Sequence, residues 1–128
     1  MSPERKIKLI HPLTPTREEI ERFNQAGINW EKSFSYDLDH FMGISYKPFQ
    51  DLISMGPSVT QLVLNKMQQK GPKGILWHFI MPYITGENIR VGEYLYKKGI
   101  AYSQFEGERR AWLNWGKENG YKINKSVD

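Results

Sequence analysis

The chain has 128 residues, a formal net charge of +4, 39% hydrophobic and 25% charged residues, and no cysteine. That length suits one domain with one core, and no apolar run approaches the ~18 residues a membrane span requires, so a soluble globular protein with no membrane association is expected. The lack of cysteine excludes a disulfide framework, a thiolate metal site and a Cys nucleophile, which points to a cytoplasmic setting, and the basic start MSPERKIKLIHPL lacks a signal peptide's apolar stretch because Lys8 interrupts Ile7 to Ile10.

Residues 1 to 13 read as a leading segment, extended around Ile7 to Ile10, since Pro12 and Pro15 disfavour helix there. Thr16 precedes Glu19 by three residues, the spacing of a capping box, and predicts a helix start. Ile20 and Phe23 give that helix an apolar side, and Gly27 is placed to cap its C-terminus. From Asn29 to Met42 two periods compete. Trp30, Phe34, Leu38 and Phe41 follow helical spacing, whereas Phe34, Tyr36 and Leu38 alternate as in a strand; the helical pattern is preferred.

Pro48 next occupies a first helical position, Phe49, Leu52 and Ile53 share a face, and Gly56 closes the turn before Pro57 restarts the chain. Val59, Leu62, Val63, Lys66 and Met67 trace the stripe of an amphipathic helix ending near Lys70. Gly71 to Gly74 reads as a loop, and Ile75 to Ile84 as an apolar central helix that Pro82 kinks or ends. The stretch from Val91 to Phe105 alternates aromatics about Lys97-Lys98-Gly99, which suggests an inserted β-hairpin near residue 94, with a helix as the alternative. Glu108 to Asn119 carries Ala111, Trp112 and Trp115 on one face, Gly120 caps it, and Tyr121 packs back over the last turn; fraying is expected beyond Ile123. Leu62, Val63, Phe79, Ile80 and Trp112 are the expected core.

The fold class is therefore mainly α, a small single-domain helical stack. Its centre, a helix, M-G-P and a second helix of L-V-L-N-K-M type, resembles one HEAT-like helical hairpin. KPFQDLISMG, LWHFIMPYITGEN and AWLNWGKENGY resemble motifs standing in the same order in a group of short bacterial proteins of uncharacterised function. The match runs over residues 47 to 89 and 108 to 121 and is carried by Met55-Gly56, Ile84 to Glu87 and Trp112 to Gly116. The chain departs from that pattern in its insertion from Arg90 to Phe105 and in Lys47, where a His is expected. The resemblance implies a helical fold and a bacterial or phage origin; it implies no activity.

No arrangement of residues announces chemistry. His11, His40 and His78 are far apart and lie in unlike contexts, whereas metal ligands usually pair at helix or loop spacing, so no metal and no cofactor are expected. Asp37 and Asp39 diverge on a helix and read as a solvated face. His78, among Trp77, Phe79 and Tyr83, reads as a hydrogen-bonded core histidine; an open cleft holding a carboxylate and a hydroxyl beside it would instead indicate catalysis. Thr85, Glu87 and Asn88 form a polar turn, a secondary candidate for binding.

The most suggestive surface is basic and aromatic. Residues 66 to 128 hold 11 basic and 6 acidic side chains, against 7 and 8 in residues 1 to 65. Tyr94, Tyr96, Lys97, Lys98, Arg109 and Arg110 form the expected binding face, with Arg90, Tyr102 and Lys117 around it, because Tyr and Arg dominate interface energetics. The sequence thus favours a non-enzymatic protein–protein interaction module, such as a small inhibitor, adaptor or immunity-type protein. Nucleic-acid binding by the basic half is the alternative, since aromatics stack on bases while Lys and Arg meet phosphates.

Overall fold

A computed structural model describes residues 10–32, 47–69, 72–89 and 104–124. Helix α1 spans Arg17–Glu31, α2 Lys47–Ile53, α3 Thr60–Met67, α4 Pro72–Leu76, α5 Met81–Thr85 and α6 Gln104–Glu118; short 3-10 turns at Pro57–Val59 and Trp77–Ile80 lead into α3 and α5. Among the described residues there is no strand, in agreement with the mainly α reading. The region of the expected hairpin near residue 94, and that of competing periods from Ser33 to Met42, lie outside the described residues.

Helix α1 begins as its sequence dictates. The Thr16 hydroxyl accepts from the Glu19 N–H at 3.1 Å, and Glu19 Oε1 accepts from the Thr16 N–H at 2.8 Å. Ser58 donates to the other Glu19 oxygen, fastening α1 to the turn before α3. The Ser58 hydroxyl and then the Thr16 N–H hold the Glu19 carboxyl below the usual carboxylate range. The end of α1 differs from expectation. Gly27 does not cap the helix; it is buried inside it, and a methyl group there would lie 3.2 Å from Trp77 Cη2. Glycine is present because α1 must approach the Trp77 indole closely, and the helix runs a full turn further to Glu31. Ile20 points to solvent, and Phe23, Ala26 and Trp30 form the buried face.

Gly56 at φ 79° separates α2 from the following 3-10 turn, as its sequence position suggests. Val59, Val63, Leu64 and Met67 are fully buried, whereas Leu62 is only half-buried, so the stripe lies slightly rotated from the expected one. The Gly71 to Gly74 loop is a second departure, since Pro72, Lys73 and Gly74 already belong to α4. A methyl on Gly74 would come within 2.0 Å of the Gln69 carbonyl oxygen, so only glycine lets the new helix start against the end of α3.

The apolar stretch that follows is not one α-helix. Pro82 has no N–H to offer the His78 carbonyl four residues back, and its ring would clash with that carbonyl in α geometry. The chain answers by tightening: Trp77–Ile80 is 3-10, and the Met81 N–H takes the His78 carbonyl instead. Residues three apart eclipse in such a turn, which stacks Trp77 and Ile80, both fully buried, on the core side. Phe79 emerges half-buried, against expectation, while Ile80, Val63 and Trp112 are core as expected. One cluster from Phe23 to Tyr121 draws on every one of these elements.

Gly120, at φ 86°, ends α6 and turns the chain back, and Tyr121 packs over Trp115 with rings stacked at 5.9 Å. The Tyr121 hydroxyl accepts the Leu13 N–H at 3.1 Å and shares a hydrogen bond with His11 Nδ1, tying the two ends of the described chain together. The His11 ring lies edge-on to Trp115. Burial lowers its pKa, and Glu87 only partly offsets this.

Two outcomes follow from this packing. Gly27→Leu should destabilise the protein by about 1 to 3 kcal/mol in chemical denaturation, because overpacking against Trp77 outweighs the roughly 1 kcal/mol of helix propensity gained. For His11, the unfolded chain binds more protons than the folded one. Its contribution is therefore complete above the ordinary imidazole range, near about pH 6.5, and lost as pH falls through it. The drop in Tm between about pH 7 and pH 5 should be smaller in His11→Gln than in the parent chain, and equal drops would show that His11 does not sense pH.

Candidate functional site

The only imidazole in the central stretch sits at the foot of a cleft between α5, its exit turn and α6. His78 is 3% exposed. Its Nδ1 donates to the Ile75 carbonyl, and its Nε2 lies 2.7 Å from Glu108 Oε2. Both partners are oxygens, so both ring nitrogens are engaged within the protein. The ring also packs on Phe79, with centroids 4.1 Å apart, and Phe79 meets Phe105 edge-on at 5.4 Å.

Above this pair the cleft opens to about 300 Å³. Phe79, Pro82, Tyr83, Ile89 and Trp112 give it apolar walls, while Glu87, Asn88 and Glu108 bring polar atoms to it. Tyr83 stands at its edge, 51% exposed, with its ring edge-on to Phe49 at 5.6 Å. Among the described residues no Lys or Arg lines the cleft. Two candidates that the sequence offers separately, His78 and the Glu87-Asn88 turn, thus meet in one place. Glu108 and the role of Tyr83 escape sequence reasoning, because Glu108 pairs with His78 across 30 residues and no local spacing marks it.

The condition that would have indicated catalysis is half met. A carboxylate is bonded to His78, but among the described residues no hydroxyl is, and the ring is enclosed. With Nδ1 committed to a carbonyl and Nε2 to Glu108, neither nitrogen is free to take a proton from a bound molecule. Among the described residues no group of three or more His, Asp or Glu is placed to hold a metal ion, and no helix is long and apolar enough to cross a membrane.

The other expected site residues are placed as follows. Thr85 is buried; its hydroxyl donates to the Met81 carbonyl at 2.7 Å and accepts the Glu87 N–H at 3.1 Å, while Gly86 at φ 69° caps α5. Thr85 shapes the turn and presents nothing to a partner; Glu87 and Asn88 are exposed. Tyr94, Tyr96, Lys97 and Lys98 lie outside the described residues. Arg109 corrects the expected binding face, being only 6% exposed. Its Nε donates to the Met67 carbonyl at 2.6 Å and its Nη1 to Glu106 at 3.0 Å, so it supplies a cation to the carbonyl end of α3, where orphan acceptors and the helix dipole favour one. Arg110 is half-buried and donates to the same Glu106 at 2.7 Å.

Comparison with protein-family models, curated proteins and solved structures gives no match.

Arg109→Met keeps most of the side-chain volume but removes the donor and the charge. It should cost about 2 to 4 kcal/mol of stability, because the Met67 carbonyl and Glu106 both lose a buried partner. A loss below about 0.5 kcal/mol in urea unfolding would return Arg109 to the list of surface residues.

Proposed function

We propose that this protein is a non-enzymatic protein–protein interaction module that receives a partner's side chain in the cleft beside Tyr83. The observation that carries this reading is the half-exposed Tyr83 ring standing over an apolar, acid-lined cleft of about 300 Å³. An exposed aromatic at the rim of an apolar concavity is what interface anchors are made of, since it offers large area at small entropic cost and a hydroxyl for direction. The imidazole–carboxylate pair beneath it supports binding over catalysis, because its hydrogen-bonding capacity is directed inward. A small inhibitor, adaptor or immunity-type protein of bacterial or phage origin, working in the cytoplasm, fits both this reading and the motif resemblance; zero cysteines suit that compartment.

Nucleic acid is the weaker reading at this site. Among the described residues the exposed Glu87 gives the cleft mouth the wrong sign for phosphate, and Arg109 and Arg110 are engaged by Glu106.

The test is affinity capture on tagged parent chain and on Tyr83→Ala, with the fold of each verified by circular dichroism. Tyr83→Ala should lose about 2 kcal/mol of affinity for the captured protein, roughly a thirtyfold rise in Kd, with little change in Tm. Undiminished capture by Tyr83→Ala would remove the cleft from the interface. Retention that depends on DNA or RNA and weakens steeply with salt would replace the reading with nucleic-acid binding.

A further inference from the structure

Beyond Gly120 the chain lies across α3, where two glutamines meet its backbone. Gln61 donates through Nε2 to the Lys122 carbonyl at 3.0 Å and accepts the Lys122 N–H on Oε1 at 2.8 Å. Gln68, two turns further along the same helix, donates to the Lys122 carbonyl at 3.3 Å and accepts the Asn124 N–H at 2.8 Å. The N–H and C=O of one residue and the N–H of the residue two places on thus face the same side, which is how a strand presents its edge.

None of these bonds involves a side chain of the tail. The amides are held ready by α3 itself, since Gln61 Nε2 also reaches Asn65 Oδ1 at 2.9 Å and Gln68 Nε2 the Leu64 carbonyl at 3.3 Å. Among the described residues of the tail, the side chains that enter are those of Tyr121 and Ile123. Tyr121 is buried against Trp115, and Ile123 lies over Gly116, where a methyl group would come 3.4 Å from Ile123 Cδ1 and 2.9 Å from Leu64 Cδ1.

We propose that the groove between α3 and α6 is a docking site for an extended segment of a partner protein that carries an aromatic residue and, two positions on, an aliphatic one, and that Tyr121–Asn124 occupies it as an internal competitor. The occupant's chemistry is read from the segment seated there: one aromatic pocket, one shallow aliphatic seat over Gly116, and backbone contacts at the intervening and following positions. Tyr121 fastens the tail through its buried ring and its bonds to His11 and Leu13. The glutamine contacts beyond it impose geometry without sequence, so any strand with the same two anchors fits. They are also solvent-exposed, each adding little net stability, and such contacts open locally at low cost. This site is separate from the cleft and does not depend on it.

The probe is a capped peptide of the sequence GYKIN, residues 120–124, titrated into the ¹⁵N-labelled full-length chain. The tethered tail competes at an effective concentration on the order of millimolar, so peptide in that range should shift the Lys122 and Asn124 amide signals of the parent chain as its own tail is displaced. Tyr121→Ala, which weakens the competitor but leaves the groove, should bind the peptide at least about tenfold more tightly than the parent. Gln61→Ala/Gln68→Ala should lose the response. Should Tyr121→Ala fail to fold, the parent-chain titration decides alone. Lys122 and Asn124 signals unmoved by about 10 mM peptide, or equal binding by the double glutamine variant, would overturn the proposal.

Discussion

The packing depends on finding a place for one indole. Trp77 is fully buried between α1 and the 3-10 turn that precedes α5, with Phe23 tilted against it at 5.4 Å and Trp30 edge-on at 4.9 Å. An indole brings a large apolar area and a single N–H that must not be stranded. Glu31 meets that need at 3.0 Å, and Lys66, 3.9 Å from the other Glu31 oxygen, steadies the carboxylate and lies 5.9 Å over the ring. The length of α1 follows. A helix that stopped at Gly27 would bring neither Trp30 nor Glu31 to the indole, and a helix with any larger residue at 27 would not come near enough.

Pro82 imposes the second constraint, and its effect reaches the cleft. By forcing the hydrogen bonds upstream into the tighter register, it sets consecutive residues about 120° apart rather than about 100°. Trp77 and Ile80 then share the core side, His78 is turned toward α6 and Glu108, and Phe79 is left half-buried as a wall of the cleft. The same proline lines that cleft, so one residue both positions the imidazole and shapes the space above it.

Much of this is legible in the sequence where the cause is local. The Thr16 and Glu19 box, the buried positions Val59, Val63 and Met67, and the turn glycines Gly56, Gly86 and Gly120 each have a cause within four residues. Gly27 and Gly74 show the limit. A glycine that ends a helix and one that admits a distant side chain or carbonyl look alike until the neighbour is known. Arg109 fails for a related reason, because a count of charges locates cations without their partners. Glu106, three residues earlier on the same helix, is the signal that could have suggested pairing. The cleft is half legible: Glu87 and Asn88 read as a binding candidate and His78 as a hydrogen-bonded core residue, but the bond that joins His78 to α6 crosses a stretch whose pattern says nothing of it.

The net charge of +4 therefore does not translate into a basic face on the described part of α6. Glu106 receives both Arg109 and Arg110, so along the first turns of that helix cation and anion are matched in close contact, and Glu108 is bonded to His78. Glu87, exposed on the far side of the cleft, has no such ion-pair partner among the described residues. Long-range attraction is governed by charge left over after pairing rather than by the total. Among the described residues, that remainder at the cleft mouth is negative. Binding there would accordingly be set by the fit of apolar surface and the direction of a few hydrogen bonds, with the overall charge acting mainly on how a partner approaches.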